Sequence, residues 1–270
     1  MTDAGAAAMR CLVIGDIIGK PGRQAIGHAL SDLRRELEVD FVIANGENVA
    51  NGAGLTPSLA EELLESGIDV ITSGNHIWDK REIYDYLDTD APVLRPANYP
   101  DDVPGRGWLV ARLADGTQVA VINLMGQVYM NQLDSPFTLA DSLLDGVGEP
   151  LPPLRFVDFH CEITSEKNAM GWHLDGRVTA VVGTHTHVPT ADAKVLPQGT
   201  AYLSDVGMTG PRDSVIGFRL DTVLPRFLRH LPTRFEVAEG PVSLNAALIE
   251  ADRVTGRATG IQLIQRLVEV

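Results

Sequence analysis

Phe41-Val42-Ile43-Ala44-Asn45-Gly46-Glu47-Asn48 is a short, wholly apolar run that stops abruptly on polar residues. A run of this length with no alternation suits a strand buried on both faces of a parallel sheet. The chain opens on the same design, Cys11-Leu12-Val13-Ile14-Gly15-Asp16, and repeats it as Val70-Ile71-Thr72 before Gly74-Asn75-His76. Helical patterns separate the runs. After a loop at Ile18–Gly22, apolar Ile26, Leu30, Leu33 and Leu37 recur at helical spacing over 23–38, and further helices are expected over 58–65 and 80–87. Strand and helix in alternation predict a sheet wrapped by helices, with ligands held beyond the carboxyl ends of the strands.

The second half is richer in strand. Segments 108–113 and 118–123 flank Asp115-Gly116, a strong hairpin signal, and further strands are expected at 155–160, 178–183, 200–204, 234–237 and 244–250. Gly146 to Pro153 reads as a loop rather than a linker. The expectation is one α/β domain over 9–270, built as a mixed sheet or two packed sheets in layers. Residues 1–8 read as a disordered extension, since Met9 would serve equally well as a start.

The charge excludes some partners. Against 36 Asp+Glu the chain has 22 Lys+Arg, a formal net charge of −14, which disfavours adhesion to nucleic acid backbones or anionic membranes. A small phosphorylated ligand remains open to it, provided something local supplies positive charge. Cys11 and Cys161 make no disulfide framework and suit a reducing compartment. With no signal core or spanning stretch in view, the expected location is the cytoplasm. The sequence leaves the oligomeric state open, a homo-oligomer included.

The strand ends deliver one chemical type. Asp16 follows the first run, Glu47 and Asn48 the second, and Asn75 and His76 the third; later runs end at Asp158-Phe159-His160 and Gly183-Thr184-His185-Thr186-His187. Singly, each has an ordinary structural use: Asp16 as a helix cap, the asparagines as turn residues, the two last histidines as a structural pair. Jointly they can converge along one sheet edge. Oxygen with imidazole donors suits Mn, Fe, Zn or related ions rather than a thiolate site, and the donors are too many for one tetrahedral ion. A pair of ions sharing a carboxylate fits better. His28, His173 and His230 lie apart from this pattern.

Asp16, Gly74-Asn75-His76 and Gly183-Thr184-His185-Thr186-His187 resemble the binuclear, calcineurin-like metallophosphoesterases. The longer strings 15–19, 45–48, 74–79, 94–98, 158–160, 164–167 and 205–210 resemble the bacterial YmdB-like branch, over nearly the whole chain from Met9. The resemblance implies an α/β/β/α sandwich with mixed sheets and hydrolysis of 2′,3′-cyclic nucleotides at two divalent metal ions. Iron or manganese come first, with magnesium or zinc as alternatives. It makes Glu47 the bridging carboxylate, with Asp16, Asn48 and His187 on one ion and Asn75, His160 and His185 on the other. His76 becomes the proton donor to the leaving group. Two departures from the wider superfamily bear on metal identity and affinity: Ile18 stands where many members have His, and Glu47 where Asp is common.

The implied chemistry is in-line attack by a metal-bridged hydroxide, with an imidazole protonating the departing alkoxide. Lys20, Arg23 and Arg95 are candidates to hold the substrate, against an ordinary life as solvated surface. The alternatives are a phosphomonoesterase of nucleotides or phosphoproteins, or a regulatory or RNA-associated module with structural metals.

Overall fold

The computed structural model describes residues 8–146 and 150–270. The expected extension therefore lies, apart from Ala8, outside the described residues, as does the middle of the 146–153 loop.

Strands β1 (Met9–Ile14), β2 (Phe41–Asn45) and β3 (Val70–Thr72) pair in parallel. Their sheet is extended antiparallel from β1 by β11 (Val242–Ala251), which also pairs with short β10 (Gly210–Pro211) and long β12 (Ala258–Val268). The second sheet runs β4 (Trp108–Arg112), β5 (Gln118–Met125), β6 (Leu154–His160), β7 (Ala180–Thr184), β9 (Ala201–Leu203) and β8 (Lys194–Val195). Its centre, from β5 to β9, is parallel, and its outer pairs are antiparallel. Asp115-Gly116 does turn the β4–β5 hairpin, with Gly116 at φ 89°.

Side chains alternate across each strand, so the strands supply two interfaces at once. Cys11, Val13, Phe41 and Ile43 face Val121, Phe156, Val182 and Leu203 between the sheets. Leu12, Ile14, Val42 and Ala44 point outward to Ile26, Leu30 and Leu33 of α1 (Gly19–Glu36) and to Ala60 and Leu63 of α2 (Pro57–Glu65). On the far side Ile122, Val157, Phe159 and Val181 pack on Ala140 of α4 (Pro136–Asp145) and Met170 of α5 (Thr164–His173). The order of layers is α/β/β/α, as expected. Burial on both faces explains why these strands are apolar throughout rather than alternating.

Four local features differ from expectation. Helix α1 starts at Gly19, not Arg23, so Lys20 and Arg23 sit in its first turns. No strand forms over 234–237; only a single bridge joins Val237 to Phe218. Strand β12 was not anticipated, because it is half-exposed and its apolar residues are diluted by Gln and Arg. In the 80–87 segment only α3 (Ile83–Leu87) is helical. No helix among the described residues is long and apolar enough to cross a membrane.

Candidate metal centre

The carboxyl ends of β1, β2, β3, β6 and β7 meet where the two sheets adjoin, and the polar residues that follow them converge there. Asp16, Glu47, Asn48 and His160 are fully buried, or nearly so, and His187 is 8% exposed. One ligand atom each from Glu47, His160 and His185 lies within 4.8 Å of the others. Asn75 Oδ1 is 3.1 Å from His160 Nε2, and His187 Nε2 is 4.0 Å from Asp16 Oδ1. Asp16, Glu47, Asn75, His160, His185 and His187 thus form one cluster, with Asn48 next to Glu47 in the chain.

Hydrogen bonds fix which nitrogen each imidazole turns toward the cluster. Thr184 Oγ1 donates to Asp158 Oδ1 at 2.7 Å, so its single proton is committed and it accepts from His160 Nδ1 at 3.0 Å. The Asn45 amide nitrogen, 3.4 Å from the same Nδ1, is nearer to Asp158 Oδ2 at 3.2 Å. His160 Nε2 is left facing Glu47 Oε1 at 3.0 Å. His187 Nδ1 donates to the Ile216 carbonyl at 2.9 Å, which turns its Nε2 toward Asp16. His185 Nε2 meets Glu162 Oε2 at 2.9 Å, leaving Nδ1 on the cluster side, 3.0 Å from His160 Nε2.

Two buried oxygens, Asp16 Oδ1 and Asn48 Oδ1, accept no hydrogen bond from the described residues. Each is held by its other atom: Asp16 Oδ2 takes the His185 N–H at 3.1 Å, and Asn48 Nδ2 donates to the Gly52 carbonyl at 3.0 Å. A buried acceptor without a donor is costly, by about 1–3 kcal/mol. An oxygen–imidazole set with such orphans is the donor chemistry of a divalent cation, so the residues fit the implied metals.

The electrostatics point the same way. Burial raises the Asp16 carboxyl, partly opposed by His187 and His160. Burial likewise pushes Asp158 up to about 6. Burial would also raise Glu47, but the His160 imidazolium and the His76 N–H bring it down to about 2. His160, although buried, is carried up to about 9 by Glu47, Asp16 and Asp158. Burial and the charge of His160 push His185 down to about 3, so it stays neutral with its lone pair available. The anions demand positive charge from their surroundings, which a bound cation answers more fully than one imidazolium.

The backbone carrying the last two histidines is strained: His185 has φ 99° and His187 φ 66°. A buried ion pair holds it. Lys167 Nζ bonds Asp205 Oδ2 at 2.6 Å and the Thr184 carbonyl at 2.9 Å, while Asp205 accepts both the N–H and the hydroxyl of Thr186. Lys167→Met would leave Asp205 buried and unpaired, and is expected to cost about 3–5 kcal/mol in urea unfolding. Gly74 is required by the floor of the cluster. A Cβ there would fall 2.1 Å from His160 Cδ2. Gly74→Ala is therefore expected to displace that ring and lower kcat/KM about 10²-fold, with bound metal measured alongside.

Asp158, Thr184, Asn45, Glu162, Asp205 and Lys167 orient the donors, and no role could be given to them from sequence. The spacing of Asp158 and His160, two residues apart on one strand face, was the available signal. His76 stands at the rim with its side chain 38% exposed; its N–H donates to Glu47 Oε2 at 2.9 Å and its Nδ1 lies 2.8 Å from Asp79 Oδ2. Two of the three candidate substrate cations are engaged by the protein itself. Arg23 clamps Glu62 and the Val49 carbonyl, and Arg95, 5% exposed, donates to the carbonyls of Pro96, Pro100 and Pro104. Both guanidiniums thus hold the protein's own loops. Lys20 is exposed and lines a separate cleft with Gln24 and Val237.

This union of a two-sheet sandwich with a donor cluster at the strand ends is that of the metallophosphoesterases, hydrolases acting on phosphoric esters. More narrowly, the chain belongs to the YmdB-like protein family, which matches residues 12–264. It is 48% identical, over 95% of its length and 96% of the relative's, to a 2′,3′-cyclic-nucleotide 2′-phosphodiesterase of Bacillus subtilis. A phosphatase from Mycoplasma pneumoniae superposes with a TM-score of 0.90 at 34% identity, covering 97% of this chain and 94% of that one. A hypothetical protein of Thermus thermophilus does so at 0.89 with 42% identity, covering 96% and 99%.

Proposed function

We propose that this protein hydrolyses 2′,3′-cyclic nucleotides at a binuclear divalent metal centre. Asp16, Asn48 and His187 would hold one ion, Asn75, His160 and His185 the other, and Glu47 both. The observation that carries this reading is the common direction of the candidate ligand atoms: three imidazoles with their other nitrogens engaged, and two buried oxygens with no donor of their own. The substrate class follows the Bacillus subtilis relative.

Bound there, two divalent ions would supply Lewis-acid neutralisation of the phosphate oxygens and a water acidic enough to ionise near neutral pH. The chain supplies the rest. His76 is fixed beside Glu47 by its backbone N–H, and Asp79 accepts the Nδ1 proton. Its Nε2 is then the atom that delivers a proton to the departing ribose oxygen. In a cyclic diester that oxygen stays on the nucleoside, so the product is a nucleoside monophosphate.

A substrate panel with Mn²⁺ or Fe²⁺ tests the proposal: 2′,3′-cAMP, 3′,5′-cAMP, bis(p-nitrophenyl) phosphate and p-nitrophenyl phosphate. The 2′,3′-cyclic nucleotide should dominate. Dominant turnover of the monoester would overturn it in favour of a phosphomonoesterase. Chelation supplies a second check. Metal at 100 times its Kd is expected to stabilise the fold by about 2.7 kcal/mol, read by thermal melting with and without chelator. Asp16→Asn should remove most of that gain.

A further inference from the structure

The rim on the His76 side opens into a cleft of about 500 Å³, lined by the 50–53 loop, His76, Lys80, Phe218, Arg234 and Phe235. Its volume falls in the range of small-ligand sites, roughly 300–1,000 Å³. We propose that this cleft is the nucleoside subsite, in which the base of the cyclic nucleotide stacks on the Phe218–Phe235 pair. The inference rests on the function proposed above and adds where the substrate's organic half lies.

The stereochemistry of the reaction selects this cleft. In-line displacement puts the leaving oxygen opposite the nucleophile, and in a 2′,3′-cyclic diester that oxygen belongs to the ribose. The nucleoside must therefore extend from the metal cluster past the proton donor, and His76 is itself part of the cleft's lining.

The walls suit a base. Phe218 and Phe235 are half-buried, with ring centroids 5.6 Å apart and planes at 46°. The Arg226 guanidinium lies 5.4 Å from the Phe235 centroid, over one side of the ring, and braces it. The rings are admitted by the loop that also bears Asn48. Gly52, at φ 94°, would carry a Cβ only 2.7 Å from Phe218, and Gly54, at φ 88°, one 2.7 Å from the stem of Lys80. Any side chain at these two positions would be strained and would push the wall into the cleft.

Charge also favours this place. The side chains of Lys80 and Arg234 make no hydrogen bond or ion pair among the described residues. In a chain of net charge −14, two uncommitted cations beside the proton donor are the local positive charge that a phosphate ester needs. Arg23 and Arg95, committed to loop carbonyls, leave that part to them.

The test compares 2′,3′-cAMP with base-free 1-O-methylribose 2,3-cyclic phosphate on the metal-loaded enzyme. Phe235→Ala should raise KM for 2′,3′-cAMP about tenfold, the scale of one lost base–aromatic stack, and leave KM for the base-free ester and the metal content unchanged. Phe235→Leu should behave alike while keeping apolar bulk, and Phe235→Tyr should retain wild-type KM. Equal effects on both esters, or none on either, would overturn the subsite. Should the wild type hydrolyse neither ester, the proposed function fails, and calorimetry decides the subsite alone. Adenosine 3′-monophosphate should then bind the wild type about tenfold more tightly than Phe235→Ala, and equal binding would overturn it.

Discussion

Replacing His76 by alanine is expected to lower kcat on 2′,3′-cAMP by about 10²–10⁴-fold while bound metal stays at the wild-type level. The separation of the two readouts follows from geometry. Among the described residues the hydrogen bond from His76 to the cluster runs through its backbone N–H to Glu47 Oε2, a bond alanine keeps, while the lost imidazole bonds Asp79 at the half-exposed rim. The deficit should shrink for an ester whose leaving group is a nitrophenolate, because a stable anion has less need of a proton. Full turnover of 2′,3′-cAMP by His76→Ala at unchanged metal content would remove His76 from the mechanism.

Glu47→Gln is the second large effect. The substitution keeps the side chain's size and an acceptor for the His76 N–H, but removes the negative charge that faces His160. Glu47 is also the foremost group holding His160 in its charged form, so the electrostatics of the whole donor set change with it. Loss of metal-centred charge stabilisation worth several kcal/mol translates into a fall in kcat/KM of about 10³-fold or more. Metal content should fall together with activity, in contrast to His76→Ala. A Glu47→Gln enzyme with wild-type metal content and rate would show that the carboxylate does not join the two sites.

Much of the layering is legible in the sequence because doubly buried strands leave a plain trace. Runs such as 41–45 and 11–14 need apolar residues on both faces, and the polar residues that end them are conspicuous. Half-exposed strands leave a weaker one, and β12, with Gln262, Gln265 and Arg266 among its apolar residues, went unread. The 234–237 segment has strand-like residues but no neighbour beyond a single bridge at Val237, since the 213–240 excursion folds back on itself at Phe218. At the site, the donors stand on strand ends and can be found by type. Their supports cannot. Thr184 and Asp158 act through which proton goes where, and Lys167 acts across the fold on Asp205. Arg95 illustrates the converse: a cation near suggestive residues whose partners turn out to be three carbonyls of its own loop.

The most direct measurement is the metal content of anaerobically purified protein, taken beside that of Asp16→Asn and Glu47→Gln. A binuclear centre on these side chains predicts two divalent ions per chain in the wild type and a marked loss in both variants. Fewer than one ion per chain in the wild type, or full occupancy in the variants, would contradict it.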